Sequence, residues 1–166
     1  MSEAINTVGG VRTLPGGIAV ADIAIRPMEE RDIPRAVEIE SAIMGPKKST
    51  TLRGSLTAYL SKGERNACLV ADAGGKVVGF LVGDIRAWDF GEDQEIGWIR
   101  IVGIDPGFQG HGVGKALGEA LMRYFETRGI TTVRTTVEWD SGDLIAYFRT
   151  LGFERSGFIG LEKHLD

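Results

Sequence analysis

Cysteine is almost missing from this chain. Cys68 is the only one among 166 residues, so no internal disulfide and no cysteine-built metal cluster can form. It lies in the run ACLVA, where a buried core thiol is expected rather than a nucleophile. An excess of basic residues is missing too. Nineteen Lys and Arg stand against 23 Asp and Glu, a formal net charge of −4, the reverse of the footprint that nucleic acid requires. There is no charged leader ahead of an apolar segment, and no apolar run long enough to span a bilayer. These absences read as a cytoplasmic protein with no nucleic-acid partner, no membrane association and no metal.

The abundant residue is glycine, at 24 positions, within a composition that is 43% apolar and 25% charged. That describes one globular domain of ordinary size. Residues 1–22 hold four glycines, one proline and no helical periodicity. They read as an arm, either flexible or adding an edge strand through Ile18, Val20 and Ile23. Residues 23–166 then form a single domain.

Ile23 and Ile25 open the first strand. Asp32, with Pro34 just behind it, caps a helix that carries Ile33, Ala36, Val37 and Ile43 to Met44. Gly45-Pro46-Lys47-Lys48 breaks this helix, and both lysines read as solvated loop charges. A second helix from Thr50 or Thr51 places Leu52, Leu56, Tyr59 and Leu60 on one face before Gly63. The apolar runs 66–73 and 76–85 flank Gly74-Gly75, a hairpin signal. An acidic loop, Asp89 to Glu95, reads as a solvated connection. Val113, Leu117, Ala120, Leu121 and Tyr124 form a helix closed by Gly129. A strand over 130–138, a helix capped by Asp140 or Ser141, and a last strand over 158–165 complete the chain. The expected fold is α/β (α+β): a mixed, mostly antiparallel sheet with helices on both faces, in the order β-α-α-β-β-β-α-β-α-β.

The stretch around which the chain is organised is IRIVGIDPGFQGHGVGKAL, Ile99 to Leu117. An apolar strand stops at Asp105-Pro106-Gly107, and a loop with alternate glycines empties into a helix N-terminus. Backbone N–H groups and the helix dipole make such a junction an anion site suited to phosphate. The Walker A pattern fails, because Ala116 follows Gly114-Lys115 and Gln109 occupies the first glycine position. The dinucleotide fingerprint also fails, at Lys115 or Leu117.

Apolar strand, x-Pro, aromatic, Q-x-x-G-x-G and a helix of small residues and leucine resemble the signature of the GNAT superfamily of N-acetyltransferases. The run SGDLIAYFRTLGF, starting at Ser141, is similar to that family's N-x-x-A-I-x-F-Y-x-K-x-G-F. The two motifs stand in the family's order, about thirty residues apart. The resemblance implies acetyl-CoA as cosubstrate and a primary amine as acceptor, either a small molecule or a protein N-terminus. It implies that Gln109, Gly110, His111, Gly112, Val113, Gly114 and Lys115 cradle the pyrophosphate, with His111 contributing its backbone. Val102, Gly103 and Ile104 would pair with the pantetheine arm as if it were a strand. Ser141 stands at the family's cofactor-contacting Asn. Phe148 stands where many members place the tyrosine that protonates the thiolate; it reads as core, while Tyr147 points about 100° away. Glu95 and Glu138 are the candidate general bases. Two other readings follow from these residues: a non-catalytic acyl-CoA-binding module without the tyrosine acid, and an interaction domain whose glycine loop is only a turn. Exposed terminal strands would allow a homodimer.

Overall fold

The computed structural model describes residues 22–45, 51–61, 65–87 and 93–165, with the backbone of 7–8 and 11–12. The chain divides into two compact units, Met1–Thr136 and Val137–Asp166.

In the first unit, β1 (Thr7–Val8) and β2 (Val11–Arg12) pair only with each other. Ile18, Val20, Lys47, Lys48, Gly63 and most of the acidic loop lie outside the described residues. The main sheet contains β3 (Ile23–Pro27), β4 (Cys68–Ala73), β5 (Lys76–Arg86), β6 (Ile96–Ile104) and β7 (Val133–Arg134), in that spatial order. Every neighbouring pair is antiparallel except β6–β7. Gly74 and Gly75, at φ +64° and +94°, make the β4–β5 turn.

Helices cover both faces. From α1 (Ile33–Met44) and α2 (Leu52–Ser61), residues Ala36, Ile39, Leu52, Leu56 and Leu60 pack with Val70, Phe80 and Val82. Strand side chains alternate between faces, so Gly79 and Gly83 of β5 look the other way. There α3 (Val113–Thr127) lays Val113, Leu117, Leu121 and Phe125 on the sheet. Gly103 sits opposite Phe80. A Cβ there would come 2.6 Å from Phe80 Cε1. Gly103→Ala should therefore cost about 1–3 kcal/mol through overpacking, read as a lower urea midpoint with an unchanged m-value.

Three local readings need correction. Asp32 does sit at the N-cap of α1, but its side chain does not cap the helix. It accepts instead from Arg26 Nη1 and Nη2 at 2.8 and 2.9 Å, and from the Glu29 N–H at 2.8 Å. The strand expected over 130–138 shrinks to Val133–Arg134, because β6 offers β7 a ladder only at Gly97 and Trp98. No strand forms over 158–165; Ile159, Leu161 and Leu165 are exposed. Alternating apolar residues make a strand only against a partner edge, and residues 158–165 have none among the described residues.

The second unit contains α4 (Gly142–Thr150), which starts from Ser141. Phe148 is 5% exposed and packs on Phe153 and Tyr147, with ring centroids 5.2 and 5.0 Å away. It is a core residue, as its helical face suggested. Burial pushes the Tyr147 phenol above its usual range. Cys68 is buried. Among the described residues no helix is long and apolar enough to cross a membrane, and no group of His, Cys, Asp or Glu is placed to hold a metal.

Candidate active site

The site is set by the fork where β6 leaves β7. Their parallel ladder covers only Gly97↔Val133 and Trp98↔Arg134. A last cross-link runs from Thr135 Oγ1 to Ile99 O, at 3.1 Å. Just beyond it a bulge separates Val82↔Ile101 from Gly83↔Ile99, leaving Arg100 as the extra residue in β6. A bulge sharpens twist and bends its strand, which turns the rest of β6 away from β7.

Past the fork no described strand pairs with this edge of β6, and its backbone groups point to it at alternate residues. Asp105 N donates to Val78 O at 2.9 Å, and Ile104 pairs with Gly79 and Gly103 with Phe80. Antiparallel alternation therefore turns the backbone groups of Gly103 toward β5 and those of Val102 and Ile104 toward the open edge. Ile104 O accepts from Gln109 Nε2 at 3.2 Å, a partner outside β5.

The edge runs straight into the glycine loop. A short 3-10 turn, Pro106–Phe108, follows Asp105, whose carboxylate accepts from Gly107 N at 2.9 Å. Its other oxygen pairs with Arg35 Nη2 of α1, and Arg35 Nε donates to Val77 O at 3.0 Å. Asp105 is thus the turn residue its place beside proline suggested, and it is also clamped to the core. Gly110 and Gly112 have φ of +77° and +86°, the left-handed region that glycine enters at no steric cost. A Cβ on either would meet no atom within 4 Å. Space beside the loop is open, and it would be filled by any side chain placed there.

Gly112 is the N-cap of α3 and has no side chain with which to cap it; the first helical bond is Ala116 N to Gly112 O. The positive end of the dipole and the first-turn N–H groups of α3 therefore face the loop. The His111 ring is turned back on its own loop, Nδ1 lying 2.8 Å from Gln109 O. A carbonyl only accepts, so this contact uses the Nδ1–H tautomer. Lys115 is exposed, 3.8 Å from Glu119.

Val102, Ile104 and Gln109 to Lys115 are therefore brought together on one edge and its adjoining loop, with Gly103 turned toward the sheet interior. Glu95 is exposed just ahead of β6, about 13 Å from Ile99 at strand rise. Glu138 and Ser141 belong to the second unit. A cavity of about 390 Å³ lies elsewhere, between the start of α1 and the β4–β5 turn. Arg26 and Arg35 line it, already paired with Asp32, Asp72 and Asp105.

The sequence reading missed the ion-pair residues on the other side of the fork. Arg100 is the only charge in the run IGWIRIVGI, and Asp84 the only acid in VVGFLVGDI. A lone charge in a strand buried on both faces was the available signal. Arg100 Nε lies 3.1 Å from Asp84 Oδ1.

An open strand edge leading into a left-handed glycine loop at a helix start has the shape and the donor groups that suit an extended, phosphate-ended ligand. Residues 33–153 match the Acetyltransferase (GNAT) family. The chain belongs to that family.

It is 29% identical over 145 residues to a mycothiol acetyltransferase of Pseudarthrobacter chlorophenolicus, covering 86% of this chain and 44% of that protein. An uncharacterized N-acetyltransferase of Methanocaldococcus jannaschii is 31% identical over 101 residues, 61% of this chain and 45% of its own length. The chain thus spans less than half of these relatives. Among solved structures, aminoglycoside N-acetyltransferase AAC(6')-Iy in complex with CoA superposes with a TM-score of 0.73 at 19% identity, over 91% of this chain and 98% of that one. At that identity the likeness concerns the fold.

Proposed function

We propose that this protein transfers the acetyl group of acetyl-CoA to a primary amine in a ternary complex. The observation that carries the reading is the continuous path from the outward backbone groups of Val102 and Ile104 into the loop Gln109–Lys115. Acetyl-CoA supplies the acetyl group as a thioester, and its shape, a long amide-bearing arm ending in pyrophosphate, matches that path. Val102 and Ile104 hold the arm as an added strand, each hydrogen bond contributing about 1 kcal/mol net. Gly110, Gly112 and the first turn of α3 receive the pyrophosphate.

Laid this way, the reacting end reaches the fork at Ile99 and Arg100. The amine nitrogen bonds to the acetyl carbon as the carbon–sulfur bond breaks, the nitrogen losing one proton and the sulfur gaining one. The chain contributes orientation, which is worth several kcal/mol in favourable cases. Glu95 takes the amine proton through water, given its distance along the strand. Water protonates the thiolate, since the buried Phe148 has no proton to give; a thiol of ordinary pKa is already a fair leaving group.

That same Phe148 supports the second reading, an acyl-CoA-binding module without turnover. Two measurements separate the possibilities. In thermal unfolding with acetyl-CoA, CoA, ATP and NAD offered singly, acetyl-CoA and CoA at a hundred times their Kd should each stabilise by about 2.7 kcal/mol, and the others should not. Thiol release should then rise when amines are added. A melting shift without amine-dependent thiol favours the binding module, and no shift with any ligand overturns the cofactor assignment.

A further inference from the structure

The proposed reaction leaves one group at the fork without a task. Arg100 is the bulged residue of β6, and its side chain lies on the α1–α2 face of the sheet, with Cζ 4.6 Å from the centroid of the Trp98 ring. Nε is held by Asp84. Nη2 is buried and has no hydrogen-bond partner among the described residues. A buried guanidinium nitrogen without an acceptor is costly, and such groups call for an explanation.

We infer that Arg100 binds the carboxylate of the acceptor, so that the substrate is a small primary amine carrying a carboxylate. This rests on the acetyl-transfer reading above and names the acceptor class for that site. Direction is the first argument. The arm of the cosubstrate lies along the strand edge, in the plane of the sheet, whereas Arg100 stands on the sheet face; the group it meets belongs to the second substrate. Geometry is the second. With Nε taken by Asp84 and the plane stacked on an indole, the Nη1–Nη2 end of the guanidinium is held in a fixed orientation, which suits a planar carboxylate held bidentately in the buried position that Nη2 occupies. Charge is the third. Asp84 Oδ2 also pairs with Arg86, at 3.2 Å, so one carboxylate is shared by two guanidinium groups. Among the described residues of this cluster the surplus is one positive charge, which a monoanion neutralises and a phosphate dianion would overshoot.

The test compares L-amino acids with their own amides as acceptors, by thiol release at fixed saturating acetyl-CoA. An aminoglycoside, a polycation, serves as the opposite extreme. The amide has the less basic amine, so intrinsic reactivity at neutral pH favours it, and a preference for the acid must come from binding. The wild-type protein should prefer the free acid by roughly tenfold or more in kcat/KM, with the aminoglycoside poorest. Arg100→Gln should abolish that preference mainly by raising the acceptor KM, with the acetyl-CoA KM unchanged, and Arg100→Lys should restore part of it. Equal or reversed preference in the wild type overturns the inference, even if Arg100→Gln does not fold. So does an undiminished preference in Arg100→Gln. Failure of every amine while acetyl-CoA still raises the melting temperature overturns this inference and leaves cofactor binding standing; loss of the melting shift itself overturns the cofactor reading beneath it.

Discussion

Asp32→Asn is expected to lower the unfolding free energy by about 2–3 kcal/mol at neutral pH. Asp32 is 5% exposed and accepts both Nη atoms of Arg26 in addition to the Glu29 N–H. An amide would present its NH₂ to at least one of these donors and remove the nearer of the two carboxylates that balance the Arg26 guanidinium. The effect stays below the range for a fully buried pair because the Arg26 side chain keeps 24% of its exposure and retains Asp72 as a second partner. Burial by itself would push the Asp32 carboxyl up, but the hydrogen bonds from Arg26 and Glu29 and the attraction of Arg26 outweigh it and hold the pKa below the ordinary value. A depressed folded-state pKa contributes stability that is complete above the unfolded value near 4 and is lost as pH falls through the folded value. Urea unfolding of both proteins from pH 7 downward should therefore show the gap narrowing below about pH 4. A gap that stays constant into acid would show that the pair does not titrate as described.

The second large effect is on ligand affinity. Gly112→Val should weaken acetyl-CoA binding roughly tenfold or more, a loss of at least about 1.4 kcal/mol. Valine must adopt a φ near +86° at the N-cap of α3, costing about 1–2 kcal/mol of conformational strain. Its methyl groups then enter the open space beside the loop, which the proposed pyrophosphate needs. Gly112→Asn separates these two causes. Asparagine tolerates the left-handed region, so it should recover most of the stability, yet it still projects a side chain beside the loop and should not recover the affinity. Urea unfolding of the three proteins reads the stability, and calorimetric titration with acetyl-CoA reads the affinity. Unchanged affinity in a folded Gly112→Val protein would place the phosphate elsewhere.

Much of the first unit was legible in the sequence because the information is local. Gly74-Gly75 between two apolar runs specifies a hairpin through backbone sterics alone. The spacing of Ile33, Ala36 and Ile39, and of Val113, Leu117 and Leu121, specifies a helix and its buried stripe. The glycine loop was readable for the same reason, since positive φ at Gly110 and Gly112 excludes most other residues. Phe148 was legible as core from its helical face.

What depends on a neighbour was not legible. The Asp32 carboxylate had a helix N-terminus beside it in sequence and Arg26 beside it in space, and the guanidinium prevailed with two charge-assisted hydrogen bonds. Residues 158–165 alternate as a strand does, but a strand needs a partner edge and none is supplied among the described residues. The sequence alone determined a family signature and the loop on which a phosphate can sit. Only the tertiary structure decided that β6 parts from β7 after Ile99, that Gly103 turns its backbone inward between Val102 and Ile104, and that Arg100 and Asp84, sixteen residues apart, meet at the fork. Each of these follows from the bulge in β6, a change of register between strands that no stretch of local sequence encodes.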